Sequence, residues 1–167
     1  MDVSAGLGTL AAPAPAPAPT TLTAAARSVS LYAGTVRSGG AAQLGADDNA
    51  YFATNSTTSG TTRVTDWYGL ISATNALQSL KVTYRGKSSY TCTQTVDVYN
   101  WTTGAWTRLN SRSVGTTESQ VDATVAGTLA DYVSGASGDG DVAVRIRCSR
   151  SGSFYTSADL LRITYQR

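Results

Sequence analysis

Two aromatic clusters and one run of neighbouring acids are where this sequence could do chemistry. Residues 99–109 read YNWTTGAWTRL, with Tyr99 before a TTGA turn and Trp101 and Trp106 on either side of it. Indole and phenol rings stack on the C–H faces of sugars while their polar tips reach hydroxyls. Two Trp at a hairpin tip can therefore form a platform for a polysaccharide. The same rings can instead close the end of a sandwich by packing across the strands, a role that suits Trp106 better than Trp101. Residues 65–69, TDWYG, set Trp67 and Tyr68 beside the acceptor Asp66. That is a saccharide-site mixture too, or a core Trp whose indole N–H meets a backbone carbonyl.

Residues 46–52, ADDNAYF, place Asp47 and Asp48 in one loop before a strand. Loop oxygens of this kind hold a structural Ca2+ when six to eight of them converge. Two carboxylates are too few, and Asp159 is the candidate third ligand; a plain turn is the alternative. SGDGDV at residues 137–142 resembles a Ca2+ loop but lacks the closing Glu, and reads as a turn. No cofactor is otherwise required. The chain has no His, no GxSxG and a single Glu, Glu118. The commonest general base is thus missing, and no carboxylate pair stands out as a glycosidase dyad. The expectation is a protein that is not an enzyme.

The two cysteines, Cys92 and Cys148, have no metal-ligand spacing. As an even pair in a strand-rich chain they read as one disulfide, which points to an oxidising compartment; two buried thiols are the alternative. Cys92, Val96 and Val98 share one strand face, and Val142, Val144, Ile146 and Cys148 share another. Pairing the strands antiparallel with Cys92 opposite Cys148 sets Val96 opposite Val144 and Val98 opposite Val142, so every apolar residue faces one way. The other face then carries Thr95, Asp97 and Tyr99 beside Arg145 and Arg147. Guanidinium forks and carboxylates can bond vicinal hydroxyls, although antiparallel sheets commonly show a solvated polar face of just this kind.

These residues need a scaffold of strands. Only 14% of the 167 residues are charged, and Thr, Ser and Gly take their place, a composition suited to strands and turns. A net charge of +2, without basic blocks, argues against nucleic acid or an anionic membrane as partner. No apolar run reaches the roughly 18 residues of a membrane span. All four Pro lie in the tract AAPAPAPAP at residues 11–19, which favours an extended, semi-stiff spacer. Residues 1–27 therefore read as an Ala/Pro-rich linker, and residues 28–167 as the tethered module. Short strands separated by Gly, Ser and Asn run through the module, with one helical candidate, TLADYVSG at residues 128–135. The fold class expected is all-β, an antiparallel β-sandwich or jelly roll with at most one short helical turn.

The segments LKVTYRGKSSYTCTQTVDVYNWTTGAWTRLNSRSVGTTE and GDVAVRIRCSRSGSFYTSADLLRITY resemble the C-terminal jelly-roll accessory modules of secreted bacterial hydrolases. Those are similar to the galactose-binding-like carbohydrate-binding modules. The resemblance implies two antiparallel sheets, a binding role and often a bound Ca2+; fold analogy alone does not name a ligand. The expectation is a secreted, monomeric, non-catalytic module. It binds a polysaccharide or oligosaccharide for a catalytic domain upstream of the linker. The candidate contacts are Trp67, Tyr68, Tyr99, Trp101, Trp106, Asp97, Arg145 and Arg147. A structural or adhesive accessory domain, binding protein or stabilising a neighbour, is the alternative, and it requires all three Trp to be buried.

Overall fold

The computed structural model describes residues 18–135 and 139–167. Within them the chain forms the strands β1 (Thr21–Ala25), β2 (Ser28–Ala33), β3 (Thr35–Ser38), β4 (Phe52–Asn55), β5 (Thr57–Ser59) and β6 (Thr62–Thr74). They are followed by β7 (Ser79–Ser88), β8 (Cys92–Asn100), β9 (Ala105–Val114), β10 (Ser119–Thr124), β11 (Asp139–Arg150) and β12 (Tyr155–Gln166). Two antiparallel sheets result. The first runs β10-β7-β12-β4-β3, with β1 also on β12; the second runs β2-β6-β11-β8-β9, with β5 on β6. The expected β-sandwich is thus what the chain forms.

Strict alternation builds the filling. Along β6, Thr65, Trp67, Gly69, Ile71 and Ala73 turn inward and Asp66, Tyr68, Leu70 and Ser72 turn outward. Trp67 is only 1% exposed and meets Phe52 edge-on, their ring centroids 5.0 Å apart and their planes at 88°. Ile71, Leu80, Tyr84, Val96, Ile146, Leu161 and Ile163 complete the layer between the sheets. Gly69 leaves room for the facing sheet, since a Cβ there would stand 2.7 Å from Leu161. Trp67 is therefore a core residue and is withdrawn from the sugar-contacting set.

Several expectations are corrected. Between β2 and β3 the chain turns at Gly34, which takes φ +103° and where a Cβ would stand 2.6 Å from the Asn55 carbonyl oxygen. That left-handed residue passes the chain from β2 in the second sheet to β3 in the first. The turn at Leu129–Tyr132 falls on the expected helical candidate, but a second 3-10 turn, Ala41–Leu44, also forms and buries Leu44. Strand β1 lies inside the segment read as linker: Thr21–Ala25 pairs with β12 from Gln166 to Arg162, and Ala26 is buried in the core. The alternation of Leu22, Ala24 and Ala26 was outweighed in the sequence by the Ala-Pro tract before it. Residues 11–17 of that tract, and Ser137 and Gly138 of the SGDGDV segment, lie outside the described residues.

Strands β8 and β11 do pair antiparallel, but in a different register. Val98 stands opposite Val144, Val96 opposite Ile146, and Cys148 opposite Gln94. The slip is by two residues, which preserves every facing because the side-chain period is two. Cys92 and Cys148 consequently sit near one another rather than directly opposed. They are unbonded and buried in a small cluster with Val114 and Phe154. The Gln94 side-chain amide donates to the Cys148 sulfur at 3.6 Å. Hydrogen bonding from Cys148 lowers the Cys92 thiol below its usual range, while Cys92 and burial push Cys148 up.

A chain shortened to begin at Ser28 loses the β1 ladder and exposes the lower half of β12. At roughly 1 kcal/mol net per ladder hydrogen bond, the expected loss is about 2–4 kcal/mol of unfolding free energy, read by urea denaturation. An unchanged midpoint would return residues 21–27 to the linker.

Candidate functional site

The outer face of the second sheet carries the site. Along β6, β11 and β8, the residues that point away from the core form rows across the strands. Arg145 stands between Tyr68 and Asp97, and Arg147 between Asp66 and Thr95. Ala143 is flanked by Leu70 on β6, and it forms the floor of a cleft of about 200 Å³ lined by Tyr32, Tyr68, Tyr99, Trp101 and Trp106.

The rings come from elements spread across the whole sheet. Tyr32 belongs to β2 and Trp106 to β9, the two outer strands, yet their centroids are 6.3 Å apart. Both side chains therefore lean inward over the face. Tyr68 lies 5.1 Å from Tyr32 and 6.1 Å from Trp106, and Tyr99 lies 5.0 Å from both Trp106 and Trp101. The planes are inclined to one another by 36° to 88°, so the rings form walls rather than one flat strip. Trp101 is 40% exposed and Tyr32 58% exposed, leaving ring faces open to a ligand.

The hairpin tip is held rigidly. The Trp101 N–H donates to the Asp131 carbonyl at 2.7 Å, and the Thr102 hydroxyl donates to the Asp131 carboxylate at 2.8 Å. The Asn100 side chain accepts the Thr103 N–H, its carbonyl accepts the Gly104 N–H, and Gly104 adopts φ +67°. The turn Leu129–Tyr132 thus anchors the wall that Trp101 forms.

Beneath the rings lies an ionic layer. Asp97 is 1% exposed, and its two oxygens are taken by different guanidinium groups. Arg108 donates to Oδ1, while Arg145 donates to Oδ2 from Nη2 at 2.8 Å and from Nε at 3.1 Å. The Arg145 guanidinium carbon sits 4.8 Å from the Trp106 ring centroid, a cation–π contact. Asp66 faces Arg145 at 3.9 Å and Arg147 at 3.6 Å. Burial pushes its carboxyl above the ordinary range, against the pull of Arg145 and Arg147. Asp97 and Arg145 lie outside the lining of the cleft: both Asp97 oxygens are taken by guanidinium groups, and Arg145 gives its Nε and Nη2 to Asp97. Arg147 is more open and lies beside the cleft.

Of the expected contacts, the structure brings together Tyr68, Tyr99, Trp101 and Trp106. It adds Tyr32, which the sequence reading passed over although Ser28, Ser30 and Tyr32 alternate with Val29 and Leu31. The expected cation ligands are sorted differently. The Asp48 carboxylate accepts the Ala50 N–H at 2.9 Å within its own loop. Asp47 and Asp159 converge instead with Glu118 on the outer face of the first sheet. Burial, then the neighbouring Asp47 and Glu118, hold the Asp159 carboxyl above its usual range.

The model of one protein family, described as the N-terminal glycosyl-hydrolase-114-associated domain, matches residues 45–159. No curated protein sequence matches the chain. Among solved structures, a CBM4 module is similar at 14% identity and a TM-score of 0.41, covering 66% of this chain and 87% of its own. The module TmCBM61, in complex with β-1,4-galactotriose, is similar at 10% identity and a TM-score of 0.41, covering 86% of each chain. A family 29 carbohydrate-binding module complexed with cellulohexaose follows at 9% identity and a TM-score of 0.35, covering 84% of this chain and 92% of its own.

Replacing Asp97 by Ala leaves the mostly covered Arg145 with only the longer contact to Asp66. Buried pairs broken from one side cost about 3–5 kcal/mol. Because Arg108 is half exposed, the expected loss here is nearer 2–3 kcal/mol by chemical denaturation. Arg108→Ala should cost under about 1 kcal/mol. Equal losses for the two variants would show that Arg145 does not depend on Asp97.

Proposed function

The chain belongs to the family of N-terminal glycosyl-hydrolase-114-associated domains, and we propose that it is a non-catalytic carbohydrate-binding module that grips a single polysaccharide chain for a tethered secreted hydrolase. The observation that carries this reading is the convergence of Tyr32, Tyr68, Tyr99, Trp101 and Trp106 on one cleft above Ala143. Sugar rings present apolar C–H faces and hydroxyl edges together. Aromatic walls with phenol and indole tips meet both needs at little conformational cost.

The inclination of the walls selects among carbohydrates. A flat crystalline polymer surface is complemented by coplanar rings along a strip. Rings tilted by 36° to 88° suit one chain whose sugars are approached from several sides. The cleft lining holds no carboxylate, which favours binding over hydrolysis. Trp101, at 40% exposure, is at odds with a purely structural module, whose tryptophans would all be buried. Tethering would raise the local concentration of the enzyme at its substrate. The family is described as N-terminal, whereas the Ala-Pro spacer led to the expectation of an enzyme upstream of the module.

The test is retention of the purified protein on insoluble chitin, cellulose, xylan and β-glucan, with affinity electrophoresis in soluble glycans alongside. Retention on one of them is expected, together with stronger binding to its soluble chains than to its crystalline form. Trp101→Ala and Tyr99→Ala should each weaken binding by about 2 kcal/mol, roughly thirtyfold in Kd, with unfolding midpoints little changed. Ala143→Phe should fill the cleft and abolish retention. Binding that survives all three variants would place the glycan elsewhere, and no retention on any glycan would favour the protein-binding alternative.

A further inference from the structure

A second depression lies on the other outer face of the sandwich, at the end of the first sheet bordered by the β7–β8 turn and the β9–β10 connection. It measures about 180 Å³ and is lined by Lys87, Ser88, Ser89, Thr116, Tyr155 and Ser157. Lys87 on β7 and Ser157 on β12 are partners in the ladder, and Tyr155 precedes Ser157 by two residues on the same side of β12. Ser157 is the small residue between these two large ones. It leaves space there as Ala143 does in the aromatic cleft.

One wall is an oriented ring. Tyr155 is 37% exposed, and the Arg37 guanidinium carbon sits 4.3 Å from its ring centroid. Arg37 Nη1 donates to the Asn55 side-chain carbonyl at 3.3 Å, so the cation against the ring is itself held. The Tyr155 main chain is pinned as well. Its N–H donates to the Ser89 hydroxyl oxygen at 3.0 Å, and its carbonyl accepts the Ser89 N–H at 2.9 Å. Hydroxyls make up most of the remaining lining. Ser157 is only 6% exposed, yet its hydroxyl has no hydrogen-bond partner among the described residues, and neither has that of Thr116. A covered hydroxyl without a partner is costly, and the pocket is where a partner can reach this one. Lys87 closes the far side, its ammonium donating to the Tyr51 hydroxyl at 2.9 Å over the face of that ring. That hydrogen bond, and then the charges of Glu118 and Asp159, hold Lys87 in its charged form, while Arg85 pairs with Asp47 and Glu118. Two cations against three carboxylates leave no surplus positive charge for an anion.

We propose that this pocket is a second saccharide site, separate from the aromatic cleft, that takes one neutral pyranose ring. The Tyr155 ring meets the C–H face of the sugar. The Ser157 and Thr116 hydroxyls and the remaining Lys87 N–H groups meet its hydroxyls. Ser and Thr both donate and accept, as sugar hydroxyls do, while the ammonium only donates. The charge balance around Lys87 favours a neutral sugar over a uronate or a sulfated one. At about 180 Å³ the pocket is below the roughly 300–1,000 Å³ of sites for larger ligands, so it holds one ring and not a length of chain. So few contacts give a dissociation constant of about millimolar. The pocket alone therefore does not retain the protein on a washed polymer. It adds a contact on the face opposite the cleft, and weak contacts on one molecule multiply in avidity.

The test is an NMR titration of the 15N-labelled whole protein with the methyl glycosides of glucose, galactose, mannose, xylose and N-acetylglucosamine, each into the tens of millimolar. One of them is expected to shift the amide signals of Ser89, Thr116 and Ser157 along a single saturating curve. The Trp101 and Trp106 indole signals report the cleft separately, so a cleft that binds nothing leaves these amides free to respond and the two readings fail independently. Tyr155→Ala should weaken the curve at least about tenfold. Tyr155→Phe should keep it, because the ring and not its hydroxyl makes the contact. Thr116→Ala, at an exposed turn position, should weaken it about fivefold and is the variant to use if Tyr155→Ala fails to fold. Amides that stay still with every sugar, that move with sodium sulfate and no sugar, or that follow the same curve in both Tyr155→Ala and Thr116→Ala would overturn the proposal.

Discussion

The cleft depends on one buried carboxylate. Asp97 sits on β8, between β11 and β9 of the second sheet, and holds Arg145 and Arg108 from these two neighbouring strands. Arg145 in turn lies against Trp106, and Trp106 is the ring that both Tyr68 and Tyr99 approach. A buried ion pair is weak evidence of stability, because the cost of desolvating both charges offsets their attraction. Its value here is geometric. A guanidinium held along its Nε–Nη2 edge by Asp97 is a flat, ordered base, and aromatic walls resting on it keep their angles without a ligand. Preorganisation of that kind lowers the ordering cost of binding.

The two outer faces of the sandwich have diverged in chemistry although the same alternation generates both. The second sheet exposes rings over an arginine layer, and the first gathers largely covered carboxylates around Arg85. Each face uses a bulge at its key acid. The β8–β9 register shifts between Val96 and Asp97, so that Asp97 faces Arg108. The β12–β7 register shifts at Asp159. Regular ladders supply the core, and the interruptions re-aim the acids.

How far this was legible in the sequence can be followed residue by residue. The sandwich was, because Val142, Val144 and Ile146 alternate as a half-buried strand must. The facing of β8 against β11 was also legible, but not its register, since a two-residue slip leaves every parity unchanged. In TDWYG only one of two adjacent rings can face outward. The polar Asp66 and Ser72 share the parity of Tyr68, while Ile71 and Ala73 share that of Trp67, and this wider pattern would have sent Trp67 to the core. Tyr32 sat in an alternating strand and was missed for want of a polar neighbour of obvious function. Glu118 could not be read at all. Its partnership with Asp47 and Asp159 is made by tertiary contact across segments that carry no shared pattern, whereas Asp48, its nearer rival, is spent on capping its own loop.

The account turns on which aromatic rings meet the glycan, and the three tryptophans make that directly observable. In a 15N-labelled sample each indole N–H gives its own signal, and Trp67 lies in the core while Trp101 and Trp106 line the cleft. Titration with the oligosaccharide of whichever polymer retains the protein should shift the Trp101 and Trp106 signals together, saturating at one Kd, and leave Trp67 in place. Signals for Trp101 and Trp106 that stay fixed while the protein still binds would contradict the aromatic cleft as the binding site.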